Sequence, residues 1–441
     1  MARGIGHRDG GISDPQTQAE KLKPGADVGC GARALIPASD FAQVLLGLVD
    51  VGVVQVQRTR LGVGKSEASR VREAAREAVA GARRASGAVT FGLVFSTDQY
   101  GADELATAIS AELEGVPWAG CCTAGVFDGQ TLSRQGVVVG LFEGTRASVG
   151  LGGPVSEAPR RAGRSAVEAA LDGLGEAGRP RAIILLSDAL TGSTSEVVRG
   201  AVDEAGSGVA WAGGGSGDNL RFVRTAQFAG GRAWSDRVVA IALDVDAPIG
   251  VGIRHGWRPY GPPTMVTRAR GSEAVELEYE PAFEVYRRTV ADRGAEVSLT
   301  SFASFAMTHP LGIPQAGGEH VIRDPLSVGP DGALRCVGEV PSGALVRIME
   351  GDRSALLEAA RGAAVDATSS VGEVSGAIVF DCVSRSILMG EHVGEELAAF
   401  RAGLGPGAPI MGCLTFGEVG AFGSGVPQFH NKTSVLLALP K

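Results

Sequence analysis

Gly376-Ala-Ile-Val-Phe380 is a run of small and apolar residues that stops at Asp381-Cys-Val-Ser-Arg385. A helical stretch follows from about Val393 to Ala402. A second run, Pro409-Ile-Met411, then leads into Gly412-Cys-Leu-Thr-Phe-Gly-Glu418. Strand, turn, helix and strand make a βαβ unit, whose two strands must lie parallel. Continuous apolar strands are what a sheet covered on both faces requires.

The same order occurs twice upstream. Phe91-Gly-Leu-Val-Phe95, a helix from about Asp103 to Leu113 and Val116-Pro-Trp-Ala119 lead into Gly120-Cys-Cys-Thr-Ala-Gly125. Ala182-Ile-Ile-Leu-Leu186, a helix near Thr194 to Ala205 and Val209-Ala-Trp-Ala212 lead into Gly213-Gly-Gly-Ser-Gly-Asp218. Each copy ends its second strand at a glycine and places a small hydroxyl three residues later: Gly120 and Thr123, Gly213 and Ser216, Gly412 and Thr415. Shared ancestry of a structural unit explains that spacing. A ligand role is the alternative, since crevices open at the carboxyl ends of parallel strands. Between the second and third copies lies a region of short strands and turns, such as Pro330-Asp-Gly332, with a helix from Ser354 to Ala367. The expected fold is therefore α/β: two lobes built from repeated βαβ units, with a sheet-rich insert between the second and third repeat.

The 441 residues are too many for one ordinary core. Residues 1–40, rich in Gly, Asp, Gln and Lys, read as a disordered tail. A net charge of −8 with no basic stripe argues against nucleic acid. No apolar run reaches membrane-spanning length; the nearest, Phe41 to Gln57, contains Gln43 and Asp50. The first 30 residues lack the apolar core of a signal peptide, so the expected location is the cytoplasm. There the six cysteines are expected to be free thiols, and no C-x-x-C pair suggests zinc.

Two glycine-rich stretches imitate nucleotide motifs and fail on spacing. Gly62-Val-Gly-Lys-Ser66 needs an earlier glycine where Thr59 stands, and reads as a strand-to-helix turn. Gly250-Val-Gly252 with Gly256 is one residue too long for a dinucleotide fingerprint. Cys382 and Arg385 form the sharpest local pair. The strand delivers Cys382 to its carboxyl end, where Arg385 in the turn would lower the thiol pKa or bind an acidic ligand group. The plain alternative is a half-buried cysteine acting as a small hydrophobe. Glu418, from the neighbouring strand end, completes an amino-acid pose with Arg385 on the carboxylate and Glu418 on the ammonium. Of the histidines, His430 stands out, in Phe429-His-Asn-Lys-Thr433 ahead of the last apolar strand.

These stretches, Gly376 to Arg385, Gly412 to Glu418 and Phe429 to Thr433, resemble the carboxyl-terminal half of the FIST family, the F-box and intracellular signal transduction proteins. Leu61 to Glu67, Phe95-Ser96 and Gly120 to Gly125 resemble its amino-terminal half, and Gly256-Trp-Arg-Pro-Tyr-Gly261 the start of the second half. The resemblance implies an N-terminal domain over 41–247 and a C-terminal domain over 248–441. It also implies a bacterial-type sensory module rather than an enzyme, binding small ligands such as amino acids beside a histidine kinase or cyclic-dinucleotide enzyme. Some members bind haem and sense nitric oxide; eukaryotic relatives carry an F-box, for which the short polar tail leaves no room. Where the family commonly has Cys-Val-Gly-Arg, this chain has Ser384.

The expected ligand site is Cys382, Arg385, Gly412, Thr415, Gly417, Glu418, His430 and Asn431, with Gly120, Thr123 and Ser216 from the other repeats. The alternatives are a haem sensor using one histidine, an enzyme with Cys382 as nucleophile, and an interaction scaffold without a ligand.

Overall fold

A small-residue strand against a small-faced helix is the local rule from which the fold is built. The computed structural model describes residues 58–85, 87–191 and 194–441. The expected tail and the Phe41 to Gln57 stretch lie outside them, as do Cys30 and His7. Strand β1 (Arg60–Ser66) is followed by helix α1 (Val71–Arg83), whose Ala74, Ala78 and Ala82 recur every fourth residue and are buried. A Cβ on Gly64 would stand 2.1 Å from the Ala78 carbonyl oxygen, so only glycine lets strand and helix come this close. The chain continues through β2 (Val89–Ser96), α2 (Ala102–Leu113), β3 (Trp118–Cys122), a hairpin of β4 (Val126–Phe127) and β5 (Leu132–Ser133), and β6 (Val137–Glu143).

That order recurs: strand, helix, strand, helix, strand, hairpin, strand. The second unit has β7 (Arg146–Gly152), α3 (Pro159–Leu174), β8 (Ala182–Asp188), α4 (Thr194–Ala205), β9 (Ala210–Ser216), hairpin β10 (Gln227–Ala229) and β11 (Arg232–Trp234), and β12 (Val238–Asp244). The third opens with β13 (Gly250–Arg254) and is interrupted at once by the insert. The insert supplies β14 (Arg258–Pro259), β15 (Thr264–Arg270), β16 (Glu273–Leu277) and β17 (Glu280–Pro281). It continues with helices α5 (Ala282–Ala291) and α6 (Phe302–Ala306), then β18 (Leu311–Pro314), β19 (His320–Val328), β20 (Leu334–Val337) and β21 (Leu345–Glu350). The third unit resumes with α7 (Arg353–Ser369), β22 (Val374–Cys382), α8 (Val383–Met389), α9 (Val393–Leu404), β23 (Ile410–Thr415), hairpin β24 (Glu418–Gly420) and β25 (Gln428–His430), and β26 (Ser434–Pro440).

The α/β class expected from the sequence holds. What reads there as two lobes resolves into three equivalent units. Their sheets run β1-β6-β2-β3, β7-β12-β8-β9 and β13-β26-β22-β23, with one parallel pair each, β2–β3, β8–β9 and β22–β23. The hairpins are exchanged in a ring. β4 of the first unit pairs with β23 of the third, β10 of the second with β3 of the first, and β24 of the third with β9 of the second. The inner faces share one core, in which Phe91 and Phe95 meet Ile184, Leu186, Phe380 and Leu437. Helices cover the outer faces.

The glycine stretches that imitate nucleotide motifs are explained by this packing. Gly62 to Ser66 lies inside β1 rather than in a turn, and Ser66 Oγ accepts from the Ala68 N–H ahead of α1. Gly250 and Gly252 lie in β13, where a Cβ on either would stand 1.8 Å from a carbonyl oxygen of α7. The expected turn over Asp381 to Arg385 is instead the end of β22 running directly into α8.

Candidate ligand site

The carboxyl ends of the three parallel pairs are built alike. The glycines expected to end the second strands lie inside them, each facing a carbonyl of its partner strand: Gly120 opposite Val94, Gly213 opposite Leu185, Gly412 opposite Val379. A Cβ on them would stand 1.7, 2.1 and 2.7 Å from those oxygens. The small hydroxyls then staple the pair. Thr123, Ser216 and Thr415 donate to the carbonyls of Ser96, Ser187 and Asp381 at 3.3, 3.0 and 3.1 Å. The recurring spacing is thus a packing device, and Gly120, Thr123, Ser216 and Gly412 are buried parts of it.

Because the units match, one can be read against another. Thr97, Asp188 and Cys382 are equivalent, each donating its backbone N–H to the strand that returns, at Gly136, Arg237 and Thr433. Val126, Gln227 and Glu418 are likewise equivalent at the start of each exchanged hairpin. The third unit alone places a thiol and a carboxyl at these two positions. Its end is also where the insert packs.

A crevice of about 420 Å³ opens there. The third unit contributes Cys382, Val383, Ser384, Ile387, Gly417 and Asn431. The second unit adds Leu190, Leu220 and Phe222, and the insert adds Met307, Asp324 and Leu326. The walls are mainly apolar. Two acceptors are the exception: Asp324 Oδ1 and Asn431 Oδ1 are buried without a protein partner, on side chains that are each 2% exposed. Such orphans carry the full desolvation penalty of the group, roughly 1–3 kcal/mol, and need a reason. The next residue, Lys432, is held at φ +52°, a left-handed conformation that tends to persist at ligand clamps. Its ammonium is buried 3.1 Å from Asp324 Oδ2 and from the Met307 carbonyl, over the Trp257 ring. Ser384 Oγ donates to the same Asp324 oxygen at 2.9 Å. Burial pushes the Asp324 carboxyl up, and Lys432 opposes that shift.

Larger hollows occur elsewhere, including one of about 750 Å³ lined by Trp118, Val149 and Trp234. It is more open, and none of its lining side chains has a buried polar atom lacking a partner.

Of the residues expected at the site, Cys382, Gly417 and Asn431 line the crevice. Glu418 and Thr415 lie behind Cys382. Thr415 Oγ1 is 2.7 Å from Glu418 Oε1, and the Thr433 N–H donates to Oε2. Burial, then the nearby Asp381, pushes the Glu418 carboxyl well up. Burial and Glu418 push the Cys382 thiol up, so it stays protonated.

Arg385 points away from the crevice and is fully buried. Its Nε donates to Glu396 and lies 3.1 Å from Asp381; Nη1 donates to the His255 and Lys432 carbonyls; Nη2 donates to Leu356 O and Glu396. All five donors are used, so the expected clamp on a ligand carboxylate has no donor to offer.

His430 is fully buried, with Nε2 3.1 Å from the Gly420 carbonyl and its ring edge-on to Phe422. Burial holds it down at about 3. His255, held down to about 3 by burial and by His320 and His430, lines a second crevice of about 330 Å³. That rim carries Arg254, Arg258, Glu319 and Glu358, charged chains rather than the apolar walls a macrocycle needs. His255 Nε2 and His430 Nδ1 are also buried without a hydrogen-bond partner. Asp324, Met307 and Phe222 were not legible as site residues, because they are far from Cys382 in sequence and follow no motif.

Three solved structures resemble this one weakly. Cyanuric acid hydrolase from A. caulinodans has 12% identity over 43% of this chain and 72% of that one, with TM-score 0.24. Phosphoribosylformylglycinamidine synthase II from Thermotoga maritima has 9% identity over 67% and 72%, TM-score 0.20. T. maritima PurL complexed with ADP has 12% over 86% and 71%, TM-score 0.21. At these values they carry no argument. No curated protein matches. The FIST N domain matches residues 90–280 and the FIST C domain residues 282–421, in chain order and with the crevice drawing on both. The chain belongs to the FIST family.

Proposed function

We propose that this chain is a sensing module that binds a small molecule in the crevice at the carboxyl end of β22 and relays its presence through a separate protein. FIST domains are associated with signal transduction and small-ligand sensing. The observation that carries the reading is the pair of orphaned acceptors, Asp324 and Asn431, in an otherwise apolar crevice. One acceptor comes from the insert and the other from the third unit, so a ligand touching both ties the two together. Occupancy then changes how the insert sits on the sheets, which is what a partner reads. The family resemblance points to a histidine kinase or cyclic-dinucleotide enzyme as that partner, in the cytoplasm.

Catalysis by Cys382 is disfavoured. A nucleophilic thiol needs an adjacent base or a depressed pKa, and burial pushes both the Cys382 thiol and the neighbouring Glu418 carboxyl up. Thermal shift of the full chain against amino acids, amides and nucleotides tests the sensor reading. A ligand at a hundredfold excess over its Kd stabilises by about 2.7 kcal/mol. The shift should vanish in Ile387→Trp, which fills the crevice from its half-exposed rim. A shift that survives this change places the site elsewhere.

A further inference from the structure

We infer that the crevice selects a neutral molecule with an apolar body and a carboxamide-type head, and discriminates against carboxylates, amines and zwitterionic amino acids. The inference rests on the crevice being the ligand site and adds the chemistry of what enters it.

The head group follows from what the wall lacks. Asp324 Oδ1 and Asn431 Oδ1 are both acceptors with almost no exposed surface, so a ligand that turns these side chains toward the crevice must bring N–H or O–H donors. An amide is its own complement: whichever way the Asn431 amide is turned, it can accept from and donate to a second amide. The remaining N–H of a primary carboxamide is then free for Asp324.

Charge balance excludes the ionic alternatives. Asp324 is already neutralised by Lys432 at 3.1 Å, and Arg385 by Glu396 at 2.5 Å. Burial pushes up both the Cys382 thiol in the wall and the Glu418 carboxyl behind it. Beside Asp324, Arg323 donates to the carbonyls of Ile322, Glu339 and Phe429; Asp381 lies against Arg385, and Asp188 and Asp218 accept from the backbone N–H groups of Leu190 and Asp236 and of Phe222, Val223 and Arg224. Each of these carboxyl groups already has its own partners, so an ammonium would be buried without a counter-charge of its own. A carboxylate would meet two acceptors and an arginine with every donor spent. Burying an unpaired ion costs far more than burying an amide that is hydrogen-bonded.

The body follows from the walls. Leu190, Leu220, Phe222, Met307, Leu326 and Ile387 offer only apolar contact. A volume of about 420 Å³ is roughly fourteen times water's share of liquid volume. That is space for a ligand of about a dozen heavy atoms, and methionine and phenylalanine walls suit an aromatic ring.

The test is isothermal titration of the full chain at pH 7.5 with four probes of one shape: 3-phenylpropanamide, 3-phenylpropanoate, 3-phenylpropylamine and phenylalanine. The amide should bind at least about tenfold more tightly than the other three. Asn431→Leu should weaken the amide about tenfold, the loss of one hydrogen bond. Ile387→Trp should abolish its binding. If the acid, amine or amino acid binds as well as the amide and is lost in Ile387→Trp, the crevice stands as the site and this inference falls. If no probe binds, this inference falls and the thermal-shift screen decides the sensor reading; if binding survives Ile387→Trp, both fall. Should Asn431→Leu fail to fold by circular dichroism, the four-probe comparison on the unaltered chain still decides.

Discussion

Thr415 has one hydroxyl proton and two oxygens within reach, the Asp381 carbonyl at 3.1 Å and Glu418 Oε1 at 2.7 Å. In the second unit the equivalent hydroxyl, Ser216, donates to the strand carbonyl of Ser187, while Thr123 of the first has the Ser96 and Gly125 carbonyls within reach. If Thr415 does the same as Ser216, the short contact with Glu418 needs a proton on the carboxyl. That agrees with the upward shift that burial and Asp381 impose. Glu418→Gln should then preserve the network, with its amide N–H on Thr415 and its carbonyl on the Thr433 N–H. Glu418→Ala should cost about 2–3 kcal/mol more, by leaving those groups unpaired. The pH dependence has a definite sign. A carboxyl raised in the folded state contributes stability that is complete below its unfolded value, about 4.3, and is lost as pH climbs toward the folded value. Glutamine has no such loss. The stability of Glu418→Gln relative to wild type should rise between pH 4.5 and 8, by at most about 1.4 kcal/mol per pH unit. Urea unfolding at both pH values measures it; an unchanged difference would mean an ionised Glu418.

At the scale of elements, the parallel strand pair and crossover helix of each repeat were legible because they are apolar or periodic; α1, α3 and the returning strands β6 and β12 were not read, and α7, expected in the insert, packs on β13 and β26 of the third unit. The helix predicted near Thr194 to Ala205 is Thr194–Ala205, and that from Asp103 to Leu113 is Ala102–Leu113. The junction after Asp381 was not legible as a helix, since Cys-Val-Ser-Arg has little helical preference and α8 is held by packing of Val383 and Met389. The glycine-to-hydroxyl spacing was visible, but its meaning needed the register. It predicts a contrast between two glycines. Gly120→Ala should destabilise by about 3 kcal/mol or more, because its Cβ would meet the Val94 carbonyl. Gly208→Ala, with open space around it, should be neutral or slightly stabilising. Thermal unfolding of the two variants checks this; equal effects would mean that the strands can move apart.

On the scale of the whole molecule, the ring of exchanged hairpins makes the three units interdependent. A cut at residue 247, between the second and third units, leaves β3 with its β10 partner but strips β9 of β24 and β4 of β23. It also opens the shared core where Phe95 meets Phe380 edge-on at 5.7 Å. A fragment of residues 58–247 should therefore show no cooperative unfolding in urea, whereas mixing it with residues 248–441 should restore one. Independent folding of the fragment would show that the exchange is not needed for stability.

By itself the sequence determined the α/β class, the three βαβ copies, the place of the insert and the family, because these follow from local periodicity and from motifs that are contiguous in the chain. It also put forward Cys382, Gly417 and Asn431, which line the crevice. The tertiary structure alone decided the hairpin exchange, which depends on pairing between distant segments. It decided, too, that Arg385 is spent on Glu396, Asp381 and three carbonyls, and that Asp324 of the insert lines the same crevice as Asn431. A side chain's type says what it can donate or accept; only its neighbours in space determine whether that capacity is still free for a ligand.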